Sequence, residues 1–177
     1  MSYLPSSPNL TNIAAMLGKY PRRGILLFKL LEDIKSSCSP LNSSMREVII
    51  TYTSGLNQCN LCYNIHKAVS EQLGIDEAVF DQLKIDIDSA QVDEKLKPVL
   101  RYVKKLTLTP DQITSADAQQ IFDAGWDENA FLDTIFLCAI VNCLNRFVSG
   151  IGINVDSRIN YDLYNVASAP KYNSSDL

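Results

Sequence analysis

The chain has 177 residues, 46% of them hydrophobic and 20% charged, with a formal net charge of −4 at pH 7. That length suffices for one domain with its own core, and the balance is that of an ordinary soluble globular protein. The charges are interspersed and leave no basic stripe to neutralise phosphates, so nucleic acid and anionic membrane surfaces are excluded as expected partners.

In chain order the sequence predicts helices from end to end. NLTNIAAMLGKY is a short helix that Pro21 should stop. RRGILLFKLLEDIKSSC follows, with Ile25, Phe28, Leu31 and Ile34 on one apolar stripe. SPLNSS is a loop whose Asn42, Ser43 and Ser44 are helix-start residues. MREVIITYTSGLN is rich in β-branched residues that would suit a strand, but its length and neighbours favour a buried helix. A helix from about Cys59 to Leu73 ends at Gly74, where the chain must turn left-handed. DEAVFDQLK, EKLKPVLRYVKKLTL and SADAQQIFDAG come next, the last closed by Gly125. DENAFLDTIFLCAIVNCLNRFVSGIG is apolar on nearly all sides and is expected to be the buried central helix, stopping at Gly150 and Gly152. The prediction is an all-α, single-domain helical bundle over residues 1–177, with a polar tail from about 155 to 177.

No secretory signal is visible in MSYLPSSPNL, and no apolar run approaches the ~18 residues of a membrane span, so a cytoplasmic protein is expected. Five cysteines (Cys38, Cys59, Cys62, Cys138 and Cys143) are an odd number for such a chain. A disulfide framework is not expected there, and a close pair reads as catalytic or metal-binding.

That pair lies in GLNQCNLCYNIHKAV, which also holds the chain's one histidine. At about 100° per residue, Cys59, Cys62, His66, Val69 and Leu73 share one inward stripe, with Asn60, Asn64, Lys67 and Glu71 opposite. Helical residues three apart have Cα atoms within disulfide range, so the pair can cycle between dithiol and disulfide with little backbone movement. Reactivity needs thiolate. The helix N-terminus offers about 0.3–2 kcal/mol, one and a half pKa units at best, and partial burial opposes it. A proton acceptor is therefore wanted, and His66, one turn beyond Cys62, supplies it. Glu47, on the preceding helix with Thr51 and Ser54, is the candidate carboxylate to orient or charge the imidazole. It has two bland alternatives: a capping box with Ser44, or a solvated side chain.

Other uses of the motif can be weighed. Haem attachment wants histidine directly after the second cysteine, where Tyr63 stands. Structural zinc wants four ligands, and Cys59, Cys62 and His66 are three. Inert core cysteines remain an alternative, and a redox dithiol leads. Cys138 and Cys143 read as buried small hydrophobes. Asn142, Asn145 and Arg146 must be hydrogen-bonded if buried, in a structural or subunit-contact role. Tyr63 is placed either at the entrance to the dithiol or on the surface, and Trp126 reads as an anchor for the last helix.

Glu47, eleven residues, Cys59, two residues, Cys62, three residues and His66 together resemble the signature of the alkylhydroperoxidase D-like branch of the carboxymuconolactone decarboxylase family. VLRYVKKLT, FDAGWDENAFLDTIF and CLNRFVSGIGINVD are similar to later segments of its peroxidase-related members. The resemblance spans about residues 10–156, with the family core at about 38–110. It implies an all-helical fold that assembles as homo-oligomers, often trimers or hexamers. It also implies reduction of hydroperoxides by the cysteine pair without haem, flavin or metal, and recharging by an external dithiol reductant, possibly of the lipoyl type. Carried over, Cys62 is the attacking thiolate, Cys59 the resolving cysteine, and Glu47 and His66 the proton relay. One departure is Leu61, where the best-studied members carry a second histidine. A redox-sensing or thiol–disulfide exchange protein is the alternative. A decarboxylase-like enzyme ranks below it, because that branch generally lacks the cysteine pair.

Overall fold

The computed structural model of the chain describes residues 2–10, 13–36 and 38–153, without the side chains of Ala14, Phe28 and Ser36. The expected tail at 155–177 and the Phe28 member of the second stripe lie outside the described residues. Among these residues there is no β-strand. The helices are α1 (Ile13–Gly18), α2 (Pro21–Ser36), α3 (Ser43–Leu56), α4 (Asn60–Gln72), α5 (Ala78–Ile85), α6 (Leu96–Leu108), α7 (Ser115–Asp123) and α8 (Glu128–Ile151), with a 3₁₀ turn at Pro110–Gln112.

Local chemistry sets most boundaries. Pro21 opens α2, because at the first helical position its missing N–H costs nothing, so α1 is shorter than the sequence suggested. Asn42 caps α3, its Oδ1 accepting from Met45 N–H at 2.9 Å and the Ser44 hydroxyl at 2.7 Å. Asp127 caps α8 by accepting from Ala130 N–H. Past α4 the chain turns at Gly74 with φ +86°, and the Ile75 N–H returns to the Ser70 carbonyl.

The central helix is α3, which packs along α4, α6 and α8 and is buried without a break from Glu47 to Ser54. Its β-branched residues do not make it a strand, since packing on all sides overrides propensity. Its hydroxyls tolerate burial because each is bonded: Thr53 donates to the Ile49 carbonyl at 2.7 Å, and Thr51 pairs with Ser70 at 3.3 Å. The main core joins Val48, Ile49 and Ile50 to Leu96, Val99, Leu100 and Val103 of α6, Phe80 of α5, Ile121 of α7 and Leu137 and Val141 of α8. Each such side chain contributes about 1.5–3 kcal/mol on burial.

The expectation that α8 is the buried centre is corrected. One face of it is packed, but Leu132, Phe136 and Phe147 are 49%, 54% and 40% exposed. The expectation that no segment approaches a membrane span is corrected too. By length and composition α8 could cross a bilayer, its polar Asn142, Asn145 and Arg146 interrupting the apolar run without lowering the average enough. A second, smaller cluster joins Met16 and Leu17 of α1 to Cys59, Leu61 and Ile65 and to Val148 and Ile153 at the end of α8, with Ile13, Cys62 and Ile151 half-buried against it. The candidate site lies there.

Candidate active site

The α3–α4 hairpin brings the four predicted residues toward one place. After α3 the chain passes through Asn57 and Gln58, the latter in the left-handed region at φ +54°. Cys59 N–H then donates to the Ser54 carbonyl at 3.0 Å, and the Cys59 carbonyl accepts from Tyr63 N–H at 2.9 Å. Cys59 thus occupies the cap position of α4, with Cys62 in the first turn and His66 one turn on. The inward stripe of α4 differs from expectation. Leu61, Ile65 and Ser70 are its buried residues, Cys62, His66 and Val69 are half-buried at its edge, and Leu73 is exposed. Leu61, which stands where the departure from the family pattern falls, is 3% exposed and packs with Met16 and Leu17, so core packing fills that position.

Glu47 is neither a capping residue nor solvated. Asn42 already caps α3, and Glu47 points inward at 3% exposure. Its Oε2 lies 2.7 Å from His66 Nδ1 and its Oε1 lies 2.7 Å from Lys35 Nζ of α2. Burial by itself would raise the Glu47 pKa. The His66 hydrogen bond and charge, then the Lys35 charge and hydrogen bond, outweigh it and hold the carboxyl down at about 2. An ionised carboxylate only accepts hydrogen bonds, so His66 Nδ1 is the donor and Nε2 is left to exchange protons elsewhere. So acidic a carboxyl is a poor base, and what this geometry allows Glu47 to do is fix the orientation of the imidazole.

Both thiols are free, and each shifts the acidity of the other. Donation from Cys62, against burial, and then from the Cys62 backbone N–H and the Ser149 hydroxyl, draws the Cys59 thiol down to about 7. Cys62 is pushed up, by giving its hydrogen to Cys59, by burial and by the Cys59 charge, with Asn145 opposing. Of the two, Cys59 is the sulfur drawn toward thiolate and Cys62 the one held as thiol. Cys59 is 3% exposed and Cys62 the more open of the two.

Lys35 and Ser149 had no place in the sequence reading, and Asn145 was read there only as a structural or subunit-contact residue. Lys35 carried no signal, being one surface-type lysine on an amphipathic helix. Asn145 did carry one, as a polar residue in an apolar stretch; it is 2% exposed and bonded to Asn57 and Ser54. Tyr63 does not line the dithiol. Its ring meets Phe80 edge-on and lies under Lys84 of α5. Trp126 ties the start of α8 to the Lys95 carbonyl beside α6. Cys138 is buried against Thr107 and Cys143 is half-buried. Among the described residues no three His, Cys, Asp or Glu side chains are grouped as metal ligands. A cleft of about 630 Å³ between α2 and α8, lined by Leu30, Asp33, Cys38 and Phe136 among others, includes none of the four site residues.

No family model and no curated protein matches the chain. Solved structures do. It is similar to an uncharacterised peroxidase-related protein from Silicibacter sp. TM1040 at 22% identity, covering 80% of this chain and 76% of that one, with a TM-score of 0.72. The AhpD core of an uncharacterised peroxidase-related protein from Ralstonia eutropha JMP134 is similar at 21% identity, with 80% and 75% covered and a TM-score of 0.73. The debrominase Bmp8 bound to 2,3,4-tribromopyrrole is similar at 13% identity, with 84% and 78% covered and a TM-score of 0.73. At these identities the likeness is one of architecture, and it establishes that the chain has the all-α, alkylhydroperoxidase D-like fold that its cysteine–histidine spacing led one to expect.

Proposed function

We propose that the protein is a thiol-dependent peroxidase that reduces hydroperoxides through a Cys59–Cys62 dithiol/disulfide cycle, with Glu47 and His66 as its proton relay. The observation that carries this reading is the buried Glu47 carboxylate 2.7 Å from His66 Nδ1, one helical turn from the free thiol pair at the start of α4. The apolar surroundings of the sulfurs, from Ile13, Met16, Leu17 and Ile151, suit an alkyl-bearing hydroperoxide.

In this mechanism Cys62, the more open sulfur, gives its proton to His66 and attacks the terminal peroxide oxygen. The O–O bond breaks, the departing alkoxide takes the proton back from the imidazolium, and an alcohol leaves. Cys62 is now a sulfenic acid. The Cys59 sulfur attacks it and expels hydroxide, which leaves as water once protonated, and a Cys59–Cys62 disulfide remains. An external dithiol, of which a lipoyl-bearing protein is the type to try first, restores both thiols by two exchanges. No cofactor is needed, and the protein would work in the cytoplasm as a homo-oligomer. The test is steady-state reduction of an alkyl hydroperoxide with several dithiols. Cys62→Ser should abolish turnover, and full activity in that variant would sink the mechanism.

A second reading is favoured by the likeness to a debrominase. The same dithiol could deliver two electrons to a bromoarene, replacing C–Br by C–H and releasing bromide and a proton as the disulfide forms. Bromide release from a bromopyrrole, measured beside peroxide consumption, separates the two. A redox sensor would consume one equivalent of peroxide and stop even with dithiol supplied.

A further inference from the structure

The Glu47 carboxylate is held at both oxygens, and the second holder comes from outside the α3–α4 hairpin. Oε2 lies 2.7 Å from His66 Nδ1, and Oε1 accepts from Lys35 Nζ, also at 2.7 Å. Lys35 stands in the last turn of α2, where the helix dipole favours a cation. Beside it the Ile34 carbonyl accepts from Arg46 Nη1 at 3.4 Å, so two successive residues at the end of α2 are tied to two successive residues of α3. The Glu47 side chain is only 5% exposed, so water screens its charge little, and the groups that touch it decide how that charge is met.

A buried carboxylate with only an imidazole beside it draws a second proton onto that ring, because an opposite charge within ~4–6 Å favours the charged form by about 1–3 pKa units. An imidazolium has no lone pair left to take a proton from a thiol. The Lys35 ammonium removes that pull. With it in place, a neutral ring donating through Nδ1 completes the bonding of the carboxylate, and a further proton would leave a surplus positive charge among the three groups. We propose that Lys35 is a positioning residue of the dithiol site: by holding Glu47 Oε1 and meeting its charge, it keeps His66 as the neutral imidazole that the proton relay requires. This role rests on the relay read above and adds to it a residue from α2. Other charged groups on the helices around α3 are engaged elsewhere: Lys67 of α4 with Glu71 and Glu77, Lys84 of α5 with Asp81, Lys97 of α6 with Glu94, and Arg146 of α8 with Asn142. Glu32 and Asp33 of α2 are exposed, and Cys62 is the titratable group one turn before the ring.

His66 is the chain's one histidine, so its ring signals in ¹H–¹⁵N NMR spectra can be followed through a pH titration with no other imidazole to confuse them. The titration is recorded on wild type, Lys35→Met and Lys35→Arg, folding being checked by circular dichroism. The expected result is a midpoint about half a unit to one unit higher in Lys35→Met, with Lys35→Arg back near wild type. A lysine that merely fastened α2 would lower the thermal midpoint of Lys35→Met and leave the imidazole titration where it was. That result, or a downward move, overturns the proposal. Should Lys35→Met not fold, Lys35→Gln is read in the same way. The measurement consumes no peroxide, so a wild type without peroxidase turnover sinks the functional reading alone, and an unmoved titration sinks this role alone.

Discussion

Glu47 sits between two nitrogen donors from different helices, with Oε2 at 2.7 Å from His66 Nδ1 on α4 and Oε1 at 2.7 Å from Lys35 Nζ on α2. Its folded pKa, at about 2, lies below the ordinary 4.5. A depressed carboxyl contributes stability that is present above its unfolded pKa and is lost as pH falls through the folded one. Urea midpoints should therefore drop between about pH 5 and pH 2, by an amount of the order of 3 kcal/mol at most. Glu47→Gln should be less stable at neutral pH and flatter across that window. A slope identical to wild type would contradict the buried pairing.

Lys35→Met leaves the His66 hydrogen bond as the one contact of the two still on Glu47. Part of the depression is lost, so the acid limb of stability should begin at higher pH. The shift should be under about one unit, because Lys35 is a quarter exposed and partly screened. Lys35→Arg should restore most of it. Urea titrations at closely spaced pH values decide the matter, and an unmoved limb counts against the ion pair.

With Cys59 replaced by serine, oxidation should halt at the Cys62 sulfenic acid. One equivalent of hydroperoxide per chain would be reduced to alcohol, with no further turnover, and dimedone should label the Cys62 peptide. Labelling of no peptide, or continued turnover, would remove Cys59 from the resolving role.

Gln58 holds a left-handed φ of +54° in the two-residue turn that delivers Cys59 to the start of α4. A side chain pays about 1–2 kcal/mol there and glycine does not, although glycine loses more freedom on folding. Gln58→Gly should raise stability by about 0.5–1 kcal/mol, read as a higher thermal midpoint. A loss of stability would show that the Gln58 side chain makes a contact worth more than the strain.

The outward face of α8 exposes Leu132, Phe136 and Phe147 on a helix whose other face is packed. Contiguous apolar surface of this kind marks contact between chains. If homo-oligomers form through it, Phe136→Asp should lower the mass measured by light scattering to that of a single chain. Unchanged assembly would place the interface elsewhere.

Much of the architecture was legible because helix signals are local. Asn42, Asp127 and Gly74 mark ends through hydrogen bonds and a backbone angle that involve neighbours only three or four residues away. Pro21 lies beyond the end of α1, as its reading as a stop required, and it also opens α2, since proline can both end one helix and begin another. α8 was misjudged because hydrophobicity records what a helix can bury, not which side its neighbours leave uncovered. α3 is the buried helix its length and neighbours favoured, and its Thr51 and Thr53 hydroxyls tolerate that because Ser70 and the Ile49 carbonyl satisfy them.

The spacing of Glu47, Cys59, Cys62 and His66 determined, without any coordinates, that a thiol pair would open a helix with an imidazole one turn along it. Short-range geometry of a single helix is enough for that. Only the packing of α2 and α8 around this hairpin decided that Glu47 would be shared with Lys35, that Cys59 would be the hidden sulfur and Cys62 the open one, and that Asn145 would be tied to Asn57 in the turn before Cys59. Those are contacts between residues 12 to 88 positions apart in the chain, and the electrostatics of a site depend on which distant groups folding presses against it, something no local pattern encodes.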